Sequence, residues 1–190
     1  MSSPSSLKLT TRALGALPVV NHYLSAIALP KLLRAHLPSD DKRLKLAPSV
    51  GIGLLLRNLM ISRKPLYALG EWAAPFEPRV LGLEPRQVRL LNDDRIGRCL
   101  DRLFDADRAS LVLAVVVAAV LKFKVRLKEL HNDSTTVSFY GKYLRANGHK
   151  VRGKPTLRIT YGHSKAKRPD LKQLLYELTV SEDGAIPIHY

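Results

Sequence analysis

The sequences KELHNDSTTVSFYG, residues 128–141, and ITYGHSKAKRPDLKQLLYELTVSEDGAIPIHY, residues 159–190, decide the fold class of this chain. Residues 130–140 are rich in β-branched and aromatic side chains, and Gly141 stops them, which predicts a strand. Alternation sorts its faces. His131, Asp133, Thr135, Val137 and Phe139 share one side, and Asn132, Ser134, Thr136, Ser138 and Tyr140 share the other. Asp133, in line with Val137 and Phe139, is therefore expected on a half-buried face, where an ionised carboxylate needs a partner, a metal or a raised pKa.

A second strand is expected over residues 171–181, where Leu174, Tyr176, Leu178 and Val180 alternate with Gln173, Leu175, Glu177 and Thr179. Asp183-Gly184 after Ser181-Glu182 signals a hairpin, and residues 185–190 supply the returning strand. Three sequential strands joined by turns predict a three-stranded antiparallel meander.

The strings HNDSTT, YGHSKAKRPDLKQLLYELTV and EDGAIPI carry a resemblance. Together they resemble the start of the catalytic domain of DDE (Asp-Asp-Glu) transposases of bacterial insertion sequences, and the helical region before them resembles the amino-terminal domain of such enzymes. The resemblance implies an RNase H-like fold with Asp133 at the position of the first catalytic, metal-binding aspartate. It implies Mg2+ or Mn2+ as cofactor and double-stranded DNA, the transposon ends, as partner. His163, Lys165, Lys167, Arg168 and Lys172 are the DNA-facing candidates. That family's second Asp and later Glu belong to elements after the meander, so the expectation is an incomplete RNase H-like domain, inactive alone. One carboxylate cannot hold the cation pair of two-metal phosphoryl transfer. A non-catalytic DNA-binding or partner-binding module derived from a transposase is the competing expectation.

Charge points the same way. The 190 residues carry a net charge of +15, with 31 Lys and Arg against 16 Asp and Glu, and a polyanion is the first partner such a balance suggests. The excess is densest from Lys142 to Lys172, where Lys142, Arg145, Lys150, Arg152, Lys154, Arg158, Lys165, Lys167, Arg168 and Lys172 face only Asp170. A solvated loop is the plain reading of such a run, and phosphate neutralisation the functional one. Asp170 is placed to order the loop by pairing with Arg168 or Lys172.

Upstream, the 46% hydrophobic content supports a real core. Residues 1–16 are expected to form a frayed tail, 17–125 a helical domain that could engage DNA ends, and 126–190 the sheet domain, an α+β chain in all. Residues 18–37 read as two helices broken near Pro30, and Pro48 opens an apolar helix to Ile61. Ser62-Arg63-Lys64 then leads to a compact helix in PLYALGEWA. That pair fits a helix-turn-helix that reads DNA and equally a core αα-hairpin. Asn92 caps a helix carrying Ile96, Leu100, Leu103 and Phe104 on one stripe. The last helix, residues 109–124, is apolar all round and is expected in the core.

Several chemistries are weaker. The single Cys99 excludes an internal disulfide and a Cys-rich metal site, and reads as a plain core or surface thiol. Asp93, Asp94, Asp101, Asp105 and Asp107 read as caps and partners of nearby arginines. A triad from His131, His149 or His163 with Ser134 or Ser164 lacks nucleophile-elbow glycines, and a zinc site from His131, Asp133, His149 and His163 lacks regular spacing. The eleven apolar residues 111–121 fall short of the roughly 20 that span a bilayer, and no secretion signal opens the chain, so a cytoplasmic, nucleoid-associated protein is expected, without a membrane partner. An incomplete sheet leaves an open edge and face, which favours self-association or pairing with full-length transposase.

Overall fold

The computed structural model describes residues 9–39, 44–162 and 167–189. The chain forms two compact units, Met1–Val112 and Leu113–Tyr190. It is an α+β protein: helices come first, and a small antiparallel sheet follows.

The first unit is built on α1 (Leu17–Ala26), α2 (Leu29–His36) and α3 (Pro48–Ile61). The break between α1 and α2 falls at Ile27 and Ala28, not at Pro30. Ala28 takes the left-handed conformation (φ 53°). Pro30 sits in the first turn of α2, where its missing N–H costs nothing. The expected frayed tail is tied down over part of its described stretch: the Ala13 amide donates to the Pro75 carbonyl (2.8 Å), and Glu77 donates to Ala13 (3.0 Å).

Gly51 lets α3 meet α5 (Asp93–Asp105) at close range: a Cβ there would lie 2.4 Å from Cys99 Sγ. Cys99 is a core thiol, and burial pushes its pKa up to about 11. Asn92 caps α5 by accepting from the Arg95 amide (2.9 Å), and Asp107 caps the next helix by accepting from the Ser110 amide (3.1 Å). Leu17, Leu54, Leu69, Leu81 and Ile96 are fully buried between these elements, each worth about 1.5–3 kcal/mol of transfer free energy.

The helix after Ser62-Arg63-Lys64 is short. A 3-10 turn, Leu66–Ala68, runs into α4, Leu69–Ala73. Leu69, Trp72 and Ala73 face inward, and Trp72 Nε1 donates to Ser62 Oγ (2.9 Å). The fully buried Asn58 locks the link, donating to the Lys64 carbonyl (2.7 Å) and accepting from its amide (3.0 Å). Of the five residues of α4, three pack inward and Glu71 carries the one charged side chain, so the pair is built as a core hairpin.

α6 (Arg108–Phe123) departs from expectation. It buries Leu111, while Leu113, Val117 and Leu121 are 63%, 45% and 73% exposed. Apolar content all round a helix asks for partners on all sides, and among the described residues α6 does not have them.

The sheet holds β1 (Leu130–Phe139), β4 (Lys172–Ser181) and β5 (Pro187–His189) in the order β1-β4-β5. β1 and β4 pair antiparallel along their full length, Leu130 opposite Ser181 and Phe139 opposite Lys172. The Asp-Gly signal yields a wider turn than a two-residue hairpin. Gly184 and Ala185 both have positive φ, and Ser181 closes the loop, its Oγ donating to the Asp183 carbonyl (2.9 Å) and accepting from the Ile186 amide (3.1 Å).

Candidate nucleic-acid interface

Asp133 lies opposite Leu178, midway along the edge strand β1, and its side chain is exposed. This corrects the expectation of a half-buried carboxylate: the partly covered side chains on β1 include Ser134, Thr136 and Ser138, the other face. Alternation located the faces but could not say which one is covered. Among the described residues no group of three or more His, Cys, Asp or Glu is placed to hold a metal ion. The donor set therefore does not fit a pair of divalent cations, nor a zinc ion on His131, Asp133 and His149.

The cations lie elsewhere. Between β1 and β4 the chain makes a small ribbon, β2 (Lys150–Val151) and β3 (Lys154–Pro155). Arg152 (φ 51°) and Gly153 (φ 80°) turn it, and positive φ at both positions is the type I′ geometry whose twist suits a two-residue hairpin. Ribbon and flanks are joined by the Ile159 amide donating to Ala146 (2.9 Å) and Thr156 to His149 (2.9 Å). Ile159 is the buried apolar side chain beneath them. Lys142, Arg145, Lys150, Arg152 and Arg158 all stand exposed.

Of the named candidates, Lys167, Arg168 and Lys172 are described; His163 and Lys165 lie outside the described residues. Arg168 grips Asp170 fork to fork, Nε to Oδ1 at 2.8 Å and NH2 to Oδ2 at 2.6 Å. These hydrogen bonds raise the Arg168 pKa and lower that of Asp170. The guanidinium also lies 5.7 Å from the Tyr140 ring centroid. Lys172 donates to the Lys142 carbonyl (2.5 Å) and sits 6.0 Å from the Tyr161 ring. So Arg168 and Lys172 belong with the basic ribbon and exposed tyrosines. Asp133 does not join them: six residues of strand, about 20 Å at roughly 3.3 Å each, separate its register from that of Lys172.

Sequence reasoning missed the residue that holds this region together. Gln173 is 6% exposed; its backbone pairs with Thr160 in both directions (2.7 and 3.2 Å), and its Nε2 donates to the Gly162 carbonyl (3.0 Å) and more weakly to that of Arg168 (3.3 Å). A glutamine in an alternating strand carries no signal of such a role. The Arg-Gly turn between two Lys-containing dipeptides was a signal, and it was too short to read as a hairpin.

Fold and surface thus define a class: an α+β chain with a packed helical unit and a small antiparallel sheet whose β1–β4 connection is strongly basic. The helical unit carries the family assignment. Residues 9–117, more than half the chain, match the family described as a domain of unknown function, DUF4277, and the chain belongs to that family. No curated protein and no solved structure matches it.

Proposed function

We propose that this chain is the DNA-engaging part of a DDE-type transposase of a bacterial insertion sequence, and that its own residues contact DNA without cutting it. The observation that carries the reading is the run of exposed cations between β1 and β4, whose one acid, Asp170, is already taken by Arg168. Exposed cations on a short ribbon neutralise backbone phosphates independently of base sequence. The resemblance of HNDSTT and GHSKAKRPDLKQ to the transposase catalytic domain supplies the biological context. Asp133 is then one carboxylate of a larger set, and the described residues pass no step through Mg2+ or Mn2+. On this reading the partners are transposon ends and further copies of the transposase, in the cytoplasm at the nucleoid. No described helix is long and apolar enough to cross a membrane.

Titration of the full chain with transposon-end and scrambled duplexes across a salt series tests the proposal. Affinity should fall steeply with salt, and Lys150→Ala with Arg158→Ala should flatten the log–log slope by about 0.9 for each phosphate no longer neutralised. Affinity indifferent to salt and to both substitutions would remove the DNA reading. Metal-dependent strand cleavage by this chain, abolished by Asp133→Ala, would instead overturn contact without cutting.

A further inference from the structure

The helical unit contains a cation that nothing in the DNA reading uses. Arg57, on α3, is 9% exposed. Its Nε donates to Asn21 Oδ1 (2.8 Å) and its NH1 to the Gly53 carbonyl (2.9 Å), while Asn21 donates to the Val80 carbonyl (2.7 Å). Of five N–H donors, two thus have acceptors among the described residues, and both acceptors are neutral. Burial pushes the guanidinium pKa down. A buried charge without a counter-charge among the described residues is costly, and an anion that supplied one would be favoured there.

The surroundings say what would arrive. Arg57 lines a chamber of about 200 Å³. Its other walls include Leu24 of α1 and Leu29, Pro30 and Leu33 of α2, and the exposed Arg34 also lines it. Gly82, with φ +76°, covers the guanidinium: a Cβ there would come within 3.4 Å of NH1 and 3.5 Å of NH2. The glycine keeps the fork clear of side-chain carbon. A monoanion on a short apolar arm would match the two main features of this lining, its charge on Arg57 and its arm on the leucines. A free phosphate would set a hydrated dianion against apolar walls and gain little from them.

We propose that this chamber is a binding site for an aliphatic carboxylate, paired by Arg57 and with its chain against Leu24, Leu29 and Leu33. The carboxylate comes either from a small free acid or from the end of a polypeptide. The site lies within the helical unit and is independent of DNA contact by the sheet unit, so either proposal can fail alone.

The test is calorimetry with side-chain NMR of arginine Nε–H on the full chain, titrated with hexanoate, hexan-1-ol and inorganic phosphate. Hexanoate should bind and move the Arg57 resonance, with hexanol and phosphate weaker by about tenfold or more, the scale of one charge-assisted pair. Arg57→Gln should abolish hexanoate binding. Should that variant fail to fold, Arg34→Glu, which leaves the buried guanidinium in place and adds negative charge to the lining, should weaken hexanoate by about tenfold. N-acetyl-leucine against its amide separates the sources: tighter binding than hexanoate, lost in the amide, assigns a chain terminus, and parity with hexanoate assigns a free acid. Hexanol or phosphate binding as well as hexanoate, no movement of the Arg57 resonance, or an Arg34→Glu variant that binds unchanged would each overturn the proposal.

Discussion

In the helical unit Leu54, Leu69, Leu81 and Ile96 are sealed from solvent, whereas in the sheet unit Ile159, at 8% exposure, is the one buried apolar side chain among the described residues. Leucine is denser in the first stretch and tyrosine in the second, yet both carry enough apolar side chains to pack, so composition alone does not make the difference. Layering does. Amphipathic helices can wrap a common interior, while a single antiparallel sheet has two faces and needs a second layer to bury either of them. Val137, Tyr140, Leu175 and Tyr176 remain 42%, 70%, 61% and 37% exposed. A packed core holds the first unit. Hydrogen-bond ladders and a few buried polar side chains, Gln173 and Ser181 among them, hold the second.

The hardest strain on this contrast is core truncation. Ile96→Ala should cost about 2–5 kcal/mol, and Val137→Ala on the sheet less than about 1 kcal/mol, by urea denaturation of each variant. Equal losses would mean the sheet owns a core after all. Next is pH. Cys99 holds its proton to about 11 when folded, against an ordinary value of 9.0. Its contribution is therefore complete below pH 9 and lost as pH rises through 11, when the unfolded chain ionises first. Relative to Cys99→Ala, the wild type should lose about 2–3 kcal/mol over that window, read from melts of the helical unit. Parallel pH profiles would place the thiol in contact with water.

Gln173→Ala sharpens the comparison from the other side. Losing its amide contacts should cost about 1–3 kcal/mol locally, seen as faster hydrogen exchange at the Thr160 and Gln173 amides with the helical amides unchanged. Exchange that quickens everywhere would show the two units to be one cooperative whole. The smallest change in stability belongs to Leu121→Lys. This side chain is 73% exposed, so folding should shift by no more than about 0.5 kcal/mol. Sedimentation should nonetheless show weaker self-association, because the substitution interrupts the exposed stripe Leu113, Val117, Leu121.

What the sequence disclosed followed from local rules. Pro48 opening α3, Asn92 capping α5 and the long alternating strands were legible, because capping and periodicity act over a few residues. The candidate site was legible only as a density of charge. Which face of β1 is covered depends on what packs against it, so the half-buried Asp133 was misplaced. The same reason defeats α6, whose apolar surround fits a core helix but leaves the stripe Leu113, Val117 and Leu121 exposed. Arg57 lay beyond reading because Asn21 and Gly82 reach it from two distant segments.

Gln173 has one more consequence, in the statistics of chains. By bonding the Gly162 and Arg168 carbonyls while its backbone pairs with Thr160, it fixes both ends of the segment between them. The entropy of bringing those ends together is therefore already spent on folding, and it grows only logarithmically with segment length, about 0.6 kcal/mol for each doubling. A change at the glutamine therefore loosens both ends at once.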